Sequence, residues 1–152
     1  IVGVEIDPSV VRLARRWFDL DALGIEVVVD DARAYLERCR RRFDAVLEDV
    51  FIGTGRDAVK PEWLPQPGLA WASRCLARRG ILASNALDEA PAVVAAMGRL
   101  FSNVVRIEVD DYDNRIFVGC SRALTGRELR RAVAATPVLA PTLRCLSFRS
   151  IR

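Results

Sequence analysis

The 152-residue chain has no histidine, a single methionine and a single lysine, and each shortage excludes something. Without imidazole there is no Ser-His or Cys-His dyad, no histidine metal ligand and no imidazole proton shuttle in these residues, so acid and base work falls to carboxylates and no metal is expected. The four cysteines, Cys39, Cys75, Cys120 and Cys145, stand too far apart for a CxxC pair and lack zinc-ligand spacing, which is the pattern of free thiols in a reducing compartment. No apolar run approaches the roughly 18 residues of a membrane helix, and no basic start followed by an apolar stretch marks a signal peptide, so a cytoplasmic location without a membrane partner is expected. Because Lys60 is the only lysine, the net charge of +3 comes from arginines distributed over every segment. A nucleic-acid footprint would cluster them on one face. The only methionine is Met97 and the chain opens on Ile1, which reads as a fragment or processed product with a segment missing upstream.

What is present suits one ordinary folded domain: 51% of residues are hydrophobic and 28% charged, enough apolar mass for a core. Short β-branched runs alternate with helical patterns, the signature of a parallel sheet covered by helices. IVGVEI (1–6) reads as a buried strand, and Asp7 with Pro8 as the N-cap and first residue of a helix that turns Val10, Ala14, Trp17 and Phe18 to one side. IEVVV (25–29) is a second strand, followed by a helix capped at Asp31 with Ala32, Tyr35, Leu36 and Cys39 on its inner stripe. FDAVLEDV (43–50) is a third strand. Residues 51–68, with Gly53, Gly55, Gly68, Pro61, Pro65 and Pro67 among charges, read as an irregular loop. A helix over about 69–77, a cap or turn at Gly80, a strand over 81–86 and a helix over 89–101 follow. The runs 103–109 and 115–120 then form an antiparallel hairpin, and Thr125 with Glu128 makes a capping box for a last helix ending near Pro137. The expected organisation is one α/β domain over 1–137 and a tail over 138–152, the latter open between a final strand, a docking tail and disorder.

Three acidic residues, Glu5, Asp31 and Asp49, fall at or just past the C-terminal ends of successive predicted parallel strands, where open α/β sheets bind ligands. In the company of VEIDPSVVRLAR, VVVDDARAYL, FDAVLEDVF and the strand after RRGILASN, they make the stretch from Ile1 to about Cys120 resemble the spermidine synthase group (polyamine aminopropyltransferases) of the class I S-adenosylmethionine methyltransferase fold. The resemblance implies an α/β, Rossmann-like fold with a mostly parallel sheet and an antiparallel C-terminal hairpin, truncated at its N-terminal side. It implies S-adenosylmethionine or its decarboxylated form as donor substrate, held at Glu5, Ile6, Asp31 and Ala32. Glu5 would accept hydrogen bonds from the two ribose hydroxyls, and Asp31 would accept from the adenine amino group with the Ala32 backbone nearby. Asp49 matches the catalytic aspartate that binds the attacking amine and helps remove its proton, since a protonated amine has no lone pair for in-line attack.

Each carboxylate also has a plainer use. Glu5 could simply favour a helix dipole, either Asp30 or Asp31 could cap the second helix, Asp7 is better explained as a cap than as a ligand, and Asp49 could be a solvated strand-end charge. The match departs from the family in two places. The polyamine enzymes show DxxDP after the third strand, whereas Ile52 stands here at the second acid, with Asp57 or Glu62 as candidate replacements. The family's first strand and glycine-rich turn have no counterpart, and GTG at 53–55 follows the wrong strand and lacks the GxGxxG spacing. In the family that strand lies centrally, between those at 1–6 and 43–50, so this stretch must leave a gap, re-pair its sheet or borrow a strand, and weak cofactor binding by it alone is expected.

The leading expectation is a transferase moving an aminopropyl or methyl group to an amine or other nucleophile. The alternatives are a methyltransferase on a non-polyamine substrate, a non-catalytic remnant serving as a binding or dimerisation module, and an NAD-type protein, which leaves Asp31 and Asp49 unexplained. The expected partners are a small-molecule amine or other nucleophile and, as an alternative assembly, a second copy in a homodimer. The arginines at 122, 127, 130, 131, 144, 149 and 152 make the end of the chain basic, and a solvated helix face and tail account for them better than nucleic acid does.

Overall fold

The computed structural model describes residues 1–55 and 57–152. The chain divides into two compact units, 1–40 and 41–152. In the first, β1 (Val2–Glu5), α1 (Pro8–Phe18), a 3-10 turn (Leu20–Leu23), β2 (Glu26–Val29) and α2 (Ala32–Arg38) follow one another. β1 and β2 pair in parallel, from Val2 opposite Glu26 to Glu5 opposite Val29, the geometry a helical crossover requires. Asp7 caps α1 as its sequence predicts, accepting the Ser9 N–H at 2.6 Å. The one-sided apolar stripe is left largely uncovered: Val10, Trp17 and Phe18 are 48%, 67% and 75% exposed, while Val11 is buried. Two four-residue strands offer too little apolar surface to cover an eleven-residue helix.

The second unit contains β3 (Phe43–Glu48), β4 (Ile52–Thr54), β5 (Asp57–Val59), α3 (Gly68–Arg74), β6 (Leu76–Ala86), α4 (Ala90–Leu100), β7 (Asn103–Val109), β8 (Arg115–Cys120), α5 (Gly126–Ala134), a 3-10 turn (Ala140–Arg144) and β9 (Leu146–Ser150). Its sheet runs β3-β6-β8-β7-β9, with β3 and β9 at the edges. β3 and β6 are parallel, and the remaining pairings in this sheet are antiparallel. The expected parallel pairs and C-terminal hairpin are therefore present, and the antiparallel pairing of that hairpin to β6, with β9 added outside β7, makes the sheet mixed. Among the described residues β1 and β3 belong to different sheets. The segment after Pro137, left open by its sequence, supplies that last strand.

Alternation on β6 decides which helix covers which face. Leu82, Ser84 and Ala86 point to one side with Phe117 of β8, and there Phe101, at the end of α4, lies against Gly119. Val93 and Met97 of α4 and Leu69 of α3 are fully buried, each contributing about 1.5–3 kcal/mol by leaving water. On the other side Ile81, Ala83, Val105, Ile107, Ile116 and Val118 pack with Leu129 of α5. The Thr125–Glu128 capping box at the start of α5 is formed in both directions, and its backbone and hydroxyl donors hold the Glu128 carboxyl below its ordinary value.

Two local expectations change. Residues 51–68 are not wholly irregular, because β4 and β5 form a short antiparallel hairpin turning at Gly55, whose φ of 74° favours glycine; Arg56, inside that segment, lies outside the described residues. Gly80 does not cap a helix. It sits inside β6, where the register with β3 jumps from Phe43↔Leu76 to Ala45↔Ile81, and a Cβ there would stand 2.9 Å from the Phe43 carbonyl oxygen. A bulge that brings two backbones this close needs a residue without a side chain.

Candidate functional site

In the first unit the strand ends present two carboxylates, each half engaged. Glu5 closes β1, and its Oε1 accepts the Asp7 N–H at 2.9 Å. Asp31 precedes α2, and its Oδ1 accepts the Arg33 N–H at 2.7 Å. Of the two aspartates that could cap α2, Asp31 does so, while Asp30 accepts the Asp31 N–H and pairs with Arg38. Capping occupies only one oxygen. Glu5 Oε2 and Asp31 Oδ2 have no partner among the described residues, so a backbone bond sets each rotamer and leaves an acceptor open. Asp7 is spent on its cap, and the Ser9 N–H lowers its carboxyl pKa. Ile6 is 67% exposed beside Glu5, and Ala32, half-buried, is the first residue of α2.

In the second unit Asp49 follows directly on β3. Its Oδ1 accepts the Asn85 Nδ2 at 2.8 Å, and Asn85 Oδ1 in turn accepts from Asn114 Nδ2 at 3.1 Å. Oδ2 of Asp49 has no partner among the described residues. The residue before it does the opposite work. Glu48 is buried and fully engaged: Lys60 Nζ donates to both its oxygens at 2.8 and 3.0 Å, Ser84 Oγ donates at 2.5 Å, and the Val50 N–H donates at 2.8 Å. The Lys60 ammonium also lies 4.3 Å from the Phe51 ring centroid, and its backbone N–H donates to Glu89. The two residues flanking Asp49 are thus tied to one carboxylate, which fixes the backbone that presents it. Burial alone would raise the Glu89 carboxyl, but the N–H groups of Lys60, Glu89 itself and Leu87, with the Lys60 charge, hold it below its ordinary value.

A cavity of about 510 Å³ opens between β5, the turn from β6 into α4 and the start of β8, with Asp57, Asp88, Glu89, Asp113 and Arg115 in its wall; Asp49 is not among its lining residues. Of the two acids that could replace the one lost at Ile52, Asp57 lines this cavity and Glu62 is simply exposed. Glu48, Lys60, Ser84, Asn85 and Asn114 went unmarked in the sequence. A lone lysine and an SN pair at the end of an apolar strand were the available signals, and neither says what it pairs with.

No family model matches the chain. Over 54 residues it is 46% identical to an eEF1A lysine and N-terminal methyltransferase homolog from Drosophila pseudoobscura pseudoobscura and 44% identical to its counterpart from Drosophila melanogaster, a match that takes in 33% of this chain and 8% of either relative. Among solved structures, a probable spermidine synthase from Corynebacterium glutamicum superposes with a TM-score of 0.74 at 23% identity, covering 97% of this chain and 57% of that one. Human methyltransferase-like protein 13 in complex with SAH gives 0.70 at 24% identity, covering 95% and 71%. The fold is Rossmann-like and that of the class I methyltransferases.

Proposed function

We propose, from this fold, that the chain carries the core of an S-adenosylmethionine-dependent transferase that moves a methyl group to an amine. The observation that carries the reading holds within each unit by itself: at Glu5 and Asp31 in the first, and at Asp49 in the second, one carboxylate oxygen is held by the protein and the other is open. Glu5 accepts from the ribose hydroxyls, Asp31 accepts from the adenine amino group with the Ala32 backbone beside it, and Ile6 offers apolar surface to the ring. Asp49 receives the acceptor. The donor brings a methyl carbon already bonded to a positive sulfur, so the nitrogen lone pair forms the C–N bond as the C–S bond breaks, and the sulfur keeps that electron pair as a neutral thioether. The nitrogen proton passes to Asp49 Oδ2 and on to water. Alignment and a base suffice for this chemistry.

The family resemblance leaves aminopropyl transfer from decarboxylated S-adenosylmethionine as a second reading, and the carboxylate-lined cavity favours it by supplying charge for a polycation. Ile52, 51% exposed where the polyamine enzymes carry an acid, weighs against it, as does the presence of methyltransferases among both the sequence relatives and the structural neighbours.

Titration calorimetry with S-adenosylmethionine, its decarboxylated form, methylthioadenosine and NAD tests the nucleoside half, and transfer of labelled methyl to a lysine peptide or of aminopropyl to putrescine tests the reaction. Heat with S-adenosylmethionine, weakened by Glu5→Gln, and methyl transfer to the peptide are expected. A folded sample giving no heat with any adenosyl compound refutes the reading.

A further inference from the structure

We infer that Asn85 and Asn114 form a two-amide relay that positions the Asp49 carboxylate, an inference that rests on the reading of Asp49 as the proton acceptor. β3 and β6 are parallel and in register at Glu48↔Ser84, so the next residues along, Asp49 and Asn85, are brought side by side on the opposite face. One pair therefore turns inward, where Ser84 donates to the buried Glu48, and the next turns outward, where Asn85 donates to Asp49. The same two strand ends make a buried anchor and an accessible carboxylate in consecutive residues.

A carboxylate only accepts, so Asp49 selects the Nδ2 end of the Asn85 amide. Asn114, in the turn before β8, holds the other end in place. Its Nδ2 donates to Asn85 Oδ1 at 3.1 Å, which leaves Asn85 Nδ2 to face Asp49 Oδ1 at 2.8 Å. The reversed amide would set an oxygen against the carboxylate and a donor against a donor. The turn holding Asn114 is shaped locally, with Asp111 at φ 66°, and both asparagines are half-buried while Asp49 is exposed. The arrangement stops the carboxylate from rotating about its bond to Cβ and keeps Oδ2 turned toward incoming substrate. Asn85 and Asn114 act through Asp49, so they are positioning residues.

The relay predicts a hierarchy. A hydrogen bond to a charged group corresponds to about 10- to 100-fold in rate, so Asn85→Ala lowers kcat by that factor with little change in KM for S-adenosylmethionine. Asn114→Ala lowers kcat less. Because Asn114 acts only through Asn85, the double variant is no slower than Asn85→Ala, a non-additivity that two independent packing defects would not produce. Methyl transfer to a lysine peptide gives the kinetics, and the side-chain amide resonance of Asn85 in the ¹⁵N-labelled protein gives a readout that needs no turnover. That resonance is identified by its loss in Asn85→Ala and moves by more than its line width in both Asp49→Asn and Asn114→Ala. Asn114→Ser serves in place of Asn114→Ala if the latter does not fold. A resonance indifferent to Asp49→Asn overturns the relay whether or not the protein is active, as do additive kinetic losses or an unchanged kcat in Asn85→Ala. A resonance that moves in a protein transferring nothing upholds the relay and refutes the transferase reading.

Discussion

Replacing Lys60 by methionine removes the charge from a buried ion pair while keeping most of the side-chain volume. The Lys60 and Glu48 side chains are 1% and 4% exposed, with an N–O distance of 2.8 Å, so water does not replace the lost partner. Leaving one member of such a pair uncompensated costs about 3–5 kcal/mol, and losing the ammonium over Phe51 adds about 0.5–2 kcal/mol. Against a total stability of about 5–15 kcal/mol, Lys60→Met is severe, and at about 2–4 °C per kcal/mol for a chain of this size it lowers Tm by roughly 7–28 °C. The double variant Glu48→Gln/Lys60→Met recovers most of the loss. The amide introduced by Glu48→Gln still accepts the Val50 N–H and donates to Ser84 Oγ, whereas Glu48→Leu would strand both groups at about 1–3 kcal/mol each. Urea unfolding followed by tryptophan fluorescence measures this. Trp63 and Trp71 lie in the second unit, and a Trp17→Phe background silences the first. A loss below about 1 kcal/mol in Lys60→Met, or a double variant no more stable than the single, refutes the claim that a buried pair anchors this strand end.

Three further outcomes follow from particular contacts. Asp31→Ser keeps a side chain that caps α2 but removes the open oxygen, so stability stays within about 0.5 kcal/mol while calorimetric affinity for S-adenosylmethionine falls; unchanged affinity means Asp31 is only a cap. Gly80→Ala forces a Cβ to 2.9 Å from the Phe43 carbonyl and costs about 1–3 kcal/mol by urea unfolding, and a neutral result there would show that the bulge yields freely. Glu89, with its folded pKa held below the ordinary 4.5, stabilises the fold fully above that value, and the benefit is lost as pH falls from 4.5 through the lowered folded pKa. The stability gap between wild type and Glu89→Gln accordingly narrows between pH 7 and the acid side of that carboxyl, and a gap constant with pH contradicts the assignment.

Much of the architecture was written locally. Strand and helix periodicities, the Asp7 cap, the Thr125–Glu128 box and the antiparallel C-terminal hairpin depend on residues a few positions apart, so pattern alone determined them. The strand-end placement of Glu5, Asp31 and Asp49 was legible for the same reason. Tertiary structure decided what each carboxylate touches and which residues stand beside it. Gly80 read as a cap or turn because only the pairing of β3 with β6 reveals a bulge, and the α1 stripe read as one apolar side because periodicity reports a face without reporting whether anything covers it. Glu48, adjacent to Asp49 and chemically similar, became a buried anchor because alternation along β3 sends neighbours to opposite faces and because Lys60 and Ser84 arrive from 12 and 36 residues away. Asn85 and Asn114 meet across 29 residues. Local pattern carries no information about partners at such separations, because only the tertiary fold, through strand pairing and the loops it positions, brings them together.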